Sequence, residues 1–129
     1  MKLILVIEDN TEVRENTAEL LELSGYKVVT ANNGKVGFEK TISIRPDVII
    51  CDVMMPETDG LGFLRLAKSN KATSAIPLIF FSAGSAPISV RKNIELGADV
   101  YLRKPFTQED LLNAVEKCLM EKVKQKVRK

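Results

Sequence analysis

The chain has 129 residues, of which 45% are hydrophobic and 28% charged, and it contains no histidine. A chain of this length can bury roughly two thirds of its unfolded surface in one core, so we expect a single domain. The lack of histidine excludes a Ser–His or Cys–His nucleophile pair, a histidine-ligated zinc site and phosphohistidine. Any chemistry must therefore use carboxylates, hydroxyls, lysine or a hard metal ion.

The formal net charge of +2 comes from 19 Lys and Arg against 17 Asp and Glu, and its distribution is uneven. Residues 116–129 hold six Lys or Arg and two Glu, so the basic character lies at the carboxyl end. A solvated helix end explains this charge better than a phosphate contact, so we expect no direct nucleic-acid binding. We divide the chain into a folded domain at 1–122 and a basic tail or helix extension at 123–129.

The cysteines and the amino terminus indicate where the protein resides. Cys51 and Cys118 form no CxxC pair, so we expect two buried thiols in a reducing compartment. The apolar run Leu3–Ile7 is too short for a signal peptide, and no run is long enough to span a membrane. We therefore predict a cytoplasmic protein with no membrane partner.

Five short apolar runs predict strands that are buried on both faces. They lie at residues 3–7, 26–31, 48–51, 76–81 and 100–102. Such runs are typical of parallel sheets that carry helices on both sides.

Helical patterns separate and follow these runs. The first predicted helix is capped by Asn10 or Thr11 and ends at Gly25. Apolar spacing predicts further helices around residues 36–42, 61–67 and 88–95, and a capping-box pattern at 107–110 opens a fifth. Five strand–helix alternations predict an α/β fold with a doubly wound, five-stranded parallel sheet and five helices.

Chemically active side chains follow four of the predicted strands. Ligands bind beyond the carboxyl ends of strands in open parallel sheets. Three carboxylates there repel one another unless a cation lies among them, and Mg²⁺ prefers oxygen ligands. A carboxylate can also attack phosphorus, and a lysine, a hydroxyl and a metal ion can then neutralise the phosphoryl oxygens. The side chains that form this predicted magnesium and phosphoryl site are Glu8, Asp9, Asp52, Ser82 and Lys104.

Each of these residues also has an ordinary structural interpretation. Asp9 suits a helix cap, Asp52 and Ser82 suit turns, and Lys104 suits an acidic rim that needs neutralising. These interpretations are independent of one another, whereas one site accounts for all four strand ends together. The joint pattern therefore favours the site.

Five motifs, in order and spacing, resemble those of bacterial two-component response-regulator receiver domains. The resemblance covers residues 2–120, and its motifs lie at 6–10, 52–60, 81–83, 97–99 and 104–106. It implies a flavodoxin-like sheet with the strand order 2-1-3-4-5. It also implies that residues 1–122 form a receiver domain.

The resemblance assigns roles to the acidic residues. It implies that Asp52 is the phosphoacceptor, and that Mg²⁺ is held by Asp52, Asp9 and Glu8 together with the backbone carbonyl of Met54. Ser82 matches a switch hydroxyl, and Lys104 matches a lysine that contacts the phosphoryl group. Tyr101 matches an aromatic whose burial changes with the switch, although a half-buried strand tyrosine needs no such role.

The function implied is a phosphorylation-dependent signalling switch. The expected partners are a histidine kinase or a histidine phosphotransfer protein as donor, and a downstream protein target or an output domain. A homodimer through the fourth helix, fifth strand and fifth helix is one further arrangement that the resemblance allows.

A turnover enzyme is the alternative, namely a Mg²⁺-dependent aspartyl-phosphate phosphatase or phosphotransferase. Such an enzyme needs a general acid or base, typically a carboxylate two residues after the nucleophile. Met54 occupies that position, and the chain has no histidine to replace it. We therefore predict a switch with at most slow autophosphatase activity. A flavin or dinucleotide carrier is excluded because no Gly-rich loop follows the first strand.

Overall fold

The computed structural model describes residues 1–53, 60–82, 97–103 and 106–127, with the backbone alone described for Ser82 and 121–127. These residues form five strands and four helices. In chain order they are β1 (Leu3–Ile7), α1 (Thr11–Leu23), β2 (Lys27–Ala31), α2 (Gly34–Ile44), β3 (Val48–Asp52), α3 (Gly60–Ser69), β4 (Leu78–Ser82), β5 (Val100–Arg103) and α4 (Gln108–Val127).

The five strands form one parallel sheet in the order β2-β1-β3-β4-β5, which confirms the predicted topology. The register between β1 and β3 fixes the site, because Ile7 lies opposite Cys51. The residue that follows Ile7 is Glu8, and the residue that follows Cys51 is Asp52, the last residue of β3. Glu8 and Asp52 therefore leave the sheet side by side.

The core lies on both faces of the sheet, as the continuous apolar strands predict. Alternate residues of β1 belong to different clusters, Leu5 and Ile7 to one and Ile4 and Val6 to the other. The first cluster includes Phe63 of α3, whereas the second includes side chains of α1 and α4. Both cysteines are buried, as expected.

Local side-chain contacts set the helix ends. The Asn10 side chain accepts a hydrogen bond from the Val13 N–H at 3.0 Å, so Asn10 is the cap of α1. Gly25 follows this helix with a φ of 96°, a conformation that glycine adopts without steric cost. At α4, Thr107 and Asp110 exchange hydrogen bonds between side chain and backbone at 2.9 and 3.0 Å. The predicted capping box is confirmed.

Two of the predictions fall in less fully described parts of the chain. The fourth predicted helix, at 88–95, lies outside the described residues. The C-terminal helix α4 continues to Val127, and so includes most of the segment that we treat as a tail or helix extension. Within the described ranges, no helix is both long and apolar enough to cross a bilayer.

Candidate metal and phosphoryl site

Three carboxylates meet at the carboxyl ends of β1 and β3. One oxygen from each of Glu8, Asp9 and Asp52 lies within 4.8 Å of the others. Glu8 is 3% exposed, Asp52 is half-buried and Asp9 is exposed. The cluster thus runs from the interior to the surface, with Asp52 at an intermediate depth.

The turn after β1 places the first two carboxylates. The Glu8 N–H donates to the Ala31 carbonyl at 3.0 Å, and this bond continues the pairing with β2. The Asn10 N–H then donates to Glu8 Oε1 at 3.1 Å, while the Asn10 side chain caps α1. The chain therefore passes from strand to helix in three residues, Glu8, Asp9 and Asn10.

The environment of Glu8 favours its protonated form. Burial raises the pKa of Glu8 from 4.5 to about 8, and the adjacent Asp52 carboxyl, as a hydrogen-bond partner and as a like charge, contributes to the rise. The Asn10 N–H acts in the opposite direction, since it favours the ionised form. Glu8 Oε2 is buried and receives no hydrogen bond from a fixed donor in the described part of the chain. A proton on that oxygen would remove the cost of an unpaired buried charge, and a bound cation would do the same.

The backbone around Asp52 is fixed from two sides. The Val53 N–H donates to the Phe81 carbonyl at 3.0 Å, and the Gly60 N–H donates to the Val53 carbonyl at 2.8 Å. A Cβ atom added at Gly60 would lie 2.8 Å from Val53 Cα and 2.9 Å from the Asp52 carbonyl oxygen. Gly60 therefore lets α3 start directly against the strand end that carries Asp52.

The donor set suits a hard divalent cation. All three side chains offer oxygen, which Mg²⁺ and Ca²⁺ prefer, and the three oxygens are close enough to share one ion. The buried Glu8 Oε2 is an acceptor that such an ion would satisfy. The residues present therefore fit a divalent metal.

The other predicted site residues are described to different degrees. Met54 and Lys104 lie outside the described residues. The backbone of Ser82 ends β4, one residue beyond Phe81, which pairs with Asp52. Tyr101 lies in β5 opposite Phe80, and its hydroxyl is buried without a hydrogen-bond partner in the described ranges. The structure thus brings together Glu8, Asp9 and Asp52, and places the Ser82 backbone at the same rim.

Sequence reasoning missed two residues that contact this rim. Gly60 packs on the backbone of Asp52, although the sequence indicates only a glycine in a turn. Arg14 donates to the carbonyl oxygens of Glu8 and Asp9 from the first turns of α1. An arginine close behind an acidic strand end is the signal that could have identified it.

Comparison with known proteins agrees with this geometry. The response regulator receiver domain family matches residues 4–116. Protein PilG of Pseudomonas aeruginosa is 34% identical over 113 residues, which cover 88% of this chain and 84% of PilG. The phosphate regulon transcriptional regulatory protein PhoB of the same organism is 33% identical over 111 residues, 86% of this chain but 48% of PhoB. The chain therefore spans most of PilG and about half of PhoB.

A solved structure gives the same result in three dimensions. A response regulator receiver domain protein from Clostridium thermocellum superposes with a TM-score of 0.86 at 31% identity. The superposition covers 95% of this chain and 97% of that chain. The similarity thus extends over nearly the whole of both molecules.

Proposed function

This chain belongs to the response-regulator receiver domain family and is a phosphorylation-dependent signalling switch, and we propose that Asp52 is its phosphoacceptor. The observation that supports this assignment is the carboxylate cluster at the strand ends, where Asp52 lies within 4.8 Å of Glu8 and Asp9. Asp52 is half-buried, between the buried Glu8 and the exposed Asp9. A phosphodonor can thus approach it from the rim.

The proposed reaction moves a phosphoryl group from a phosphorylated imidazole to Asp52. A carboxylate oxygen of Asp52 attacks phosphorus, the P–O bond forms, and the P–N bond breaks. The imidazole nitrogen keeps the electron pair and takes up a proton, and Asp52 becomes an acyl phosphate. Because the chain has no histidine, the donor is another molecule, a histidine kinase or a histidine phosphotransfer protein.

The cation that the cluster fits is, in our proposal, Mg²⁺. Glu8, Asp9 and Asp52 would hold it with the backbone carbonyl of Met54. The ion supplies positive charge that offsets the carboxylates and the oxygens of the phosphoryl group. On binding such an ion, Glu8 would release to solvent the proton that its raised pKa lets it keep at neutral pH.

Ser82, Lys104 and Tyr101 complete the proposed switch. A phosphoryl group on Asp52 would add negative charge at the rim, and the Ser82 hydroxyl and the Lys104 ammonium would bind its oxygens. Tyr101 lies on β5, which pairs with β4, the strand that ends at Ser82. A movement of Ser82 would therefore reach Tyr101 through one strand pair and change the surface offered to a downstream protein target or an output domain.

A mass measurement tests the phosphoacceptor. The protein is incubated with acetyl phosphate and Mg²⁺, and we expect its intact mass to rise by one phosphoryl group. Asp52→Asn should abolish the gain. The matched control is Asp47→Asn, since Asp47 directly precedes β3 and Asp52 ends it. No gain in the wild type, or a gain that survives Asp52→Asn, would overturn the proposal.

The lifetime of phospho-Asp52 tests the choice between a switch and a turnover enzyme. Met54 stands two residues after Asp52, where an enzyme would place a carboxylate to orient water, so we expect slow hydrolysis. Decay is followed by intact mass after the donor is removed. We expect Met54→Glu to accelerate the decay and Met54→Leu to leave it unchanged. Loss of the phosphoryl group within seconds, unaffected by either change, would refute slow autodephosphorylation.

A further inference from the structure

Arg14 contacts the backbone of the residues that carry two of the cluster's carboxylates. Its Nη1 donates to the Glu8 carbonyl at 2.9 Å and to the Asp9 carbonyl at 3.4 Å. Its Nη2 lies 3.4 Å from Thr11 Oγ1, at the start of the same helix. One half-buried guanidinium thus joins the strand end to α1.

These carbonyl oxygens lie beyond the last strand residue of β1, where the sheet no longer supplies donors in a regular pattern. The Glu8 N–H is still paired with Ala31, and Glu8 Oε1 accepts from the Asn10 N–H. The contact with the Glu8 carbonyl is partly buried and the contact with the Asp9 carbonyl is exposed. Because an unpaired carbonyl costs more free energy when it is buried, the bond to Glu8 contributes most to this conformation of the turn. The backbone conformation of this turn then sets the direction in which the Glu8 and Asp9 side chains leave the backbone.

We propose that Arg14 is a positioning residue that holds the Glu8–Asp9 turn in the geometry that binds the divalent cation. The inference rests on the proposed function of the same site. Groups that hydrogen-bond to metal ligands without touching the metal typically contribute 10–100-fold to metal affinity, and the affinity falls by that factor when they are removed. Arg14 fits that description, because its contacts are with the backbone of two candidate ligands rather than with their carboxylates.

Positioning and simple charge make opposite predictions for this residue. A positive guanidinium close to a cation site repels the cation, so removing its charge alone would raise Mg²⁺ affinity. If Arg14 positions the ligands, removing it lowers the affinity instead. Lysine keeps the charge and a donor for the carbonyls, but it lacks the second nitrogen with which Arg14 also contacts Thr11.

The experiment is calorimetric titration of the full chain with Mg²⁺ for the wild type, Arg14→Gln and Arg14→Lys. We expect Arg14→Gln to weaken Mg²⁺ binding by roughly tenfold or more, and Arg14→Lys to restore it only in part. The matched control is Arg65→Gln, which removes the same charge from an exposed position on α3 and should leave the affinity unchanged. Urea unfolding in EDTA shows that each variant is folded at the temperature of the titration.

The outcomes separate the two proposals. Unchanged or tighter Mg²⁺ binding by folded Arg14→Gln would overturn the positioning role and leave the phosphoacceptor proposal intact. Recovery of affinity by Arg14→Lys would support the positioning role, because a charge that repels the cation cannot raise its affinity and the lysine must then act through its hydrogen bonds to the carbonyls. A wild-type protein that binds no Mg²⁺ would overturn the proposed magnesium site, and the role of Arg14 with it.

Discussion

The two ends of β3 use aspartate in opposite ways. At the amino end, Asp47 Oδ2 accepts the Leu3 N–H at 2.8 Å, and the Asp47 N–H donates to the Leu3 carbonyl at 2.8 Å. Asp99, which directly precedes β5, forms the same pair of bonds with Leu78 at the start of β4, at 2.8 and 2.9 Å. At the carboxyl end, Asp52 lies within 4.8 Å of two other carboxylates, and the buried Oε2 of Glu8 has no fixed donor in the described part of the chain.

The direction of parallel strands explains the difference. At the amino edge, Leu3 begins β1 and Leu78 begins β4, and the N–H of each points to a carboxylate at the start of a neighbouring strand. A carboxylate at the amino edge satisfies a free N–H, as Asp47 and Asp99 do. At the carboxyl edge the Asn10 N–H reaches Glu8 Oε1, but the carbonyls of Glu8 and Asp9 cannot donate to the remaining carboxylate oxygens. Acidic residues there need a cation or a proton, and the carbonyls need a donor such as Arg14.

The largest effect is expected where the carboxyl edge is disturbed through its backbone. Gly60→Ala places a Cβ 2.8 Å from Val53 Cα and 2.9 Å from the Asp52 carbonyl oxygen, so the strand end or α3 must move. We expect the free energy of unfolding to fall by about 1–3 kcal/mol and phosphoryl uptake to fall with it. Urea unfolding and intact mass measure the two effects.

Gly25→Ala is the control for that prediction. Gly25 has a φ of 96° with nothing within 4 Å of an added Cβ, so alanine there is strained but touches nothing. The strain costs about 1–2 kcal/mol, and it arises between α1 and β2 at the amino edge. We expect Gly25→Ala to keep phosphoryl uptake. If Gly60→Ala keeps uptake equally well, the packing of α3 on Asp52 does not matter to the site.

At the amino edge the expected effect is on stability alone. Asp99→Ala removes the acceptor of the buried Leu78 N–H, which should lower the free energy of unfolding by about 1–3 kcal/mol. Asp99→Asn keeps an acceptor oxygen and should lose less. In EDTA, Asp52→Ala should cost less than Asp99→Ala, because it relieves the crowding of carboxylates. Equal losses in urea unfolding would contradict the distinction between the two edges.

The pH dependence of stability tests the carboxyl edge without a metal. The folded-state pKa of Glu8, about 8, is above its ordinary value of 4.5, so the folded protein retains a proton that the unfolded chain releases. The associated stability is fully present below about pH 4.5 and is lost as pH rises through about 8. In EDTA we expect a decline on the order of 1 kcal/mol between about pH 6 and about pH 8.

Glu8→Gln is the matched variant, because glutamine has the same shape and does not titrate in this range. Its free energy of unfolding should be flatter over the same pH interval. Added Mg²⁺ should stabilise the wild type most at the alkaline end of this interval, where the ion no longer has to displace a proton from Glu8. A wild-type pH profile identical to that of Glu8→Gln would show that the environment of Glu8 does not shift its pKa.

Much of the fold follows from the sequence because strand burial and helix caps are local signals. The apolar runs located all five strands, and the capping pattern at Thr107 located the start of α4. The fourth strand begins at Leu78 rather than at residue 76. There the Ile76 N–H closes a turn onto the Thr73 carbonyl, and Pro77 has no N–H for the ladder. This turn is a contact that apolar patterning does not encode.

The convergence of the three carboxylates could be predicted from the sequence, but the backbone contacts that hold them in place could not. Glu8, Asp9 and Asp52 follow apolar strands, so their convergence could be inferred once the sheet was taken as parallel. Sequence alone did not separate buried Glu8 from exposed Asp9, since that difference depends on the Glu8 N–H pairing with Ala31. Arg14 and Gly60 act on backbone atoms of other elements, and such contacts leave no periodic signal in a sequence.

The smallest expected effect concerns a carboxylate paired with an N–H at the surface. Asp110 Oδ2 accepts the Thr107 N–H at 2.9 Å, while Thr107 Oγ1 accepts the Asp110 N–H at 3.0 Å, and both residues are exposed. Water can replace these bonds, so Asp110→Ala should cost about 1 kcal/mol in urea unfolding and leave phosphoryl uptake intact.

Glu109→Ala separates that capping bond from charge alone. Glu109 also lies in the first turn of α4, so its removal takes away one acidic group that favours the helix start, worth about 0.3–1 kcal/mol. If pairing with an N–H is what makes a carboxylate stabilising in this fold, Asp110→Ala must lower the free energy of unfolding more than Glu109→Ala does. The difference must persist at high salt, because salt screens hydrogen bonds less than it screens exposed charges. Equal costs that vanish together in salt would mean that charge, rather than the paired N–H, accounts for the stabilising effect of Asp110. That result would contradict the role of N–H pairing that we assign to Asp47 and Asp99.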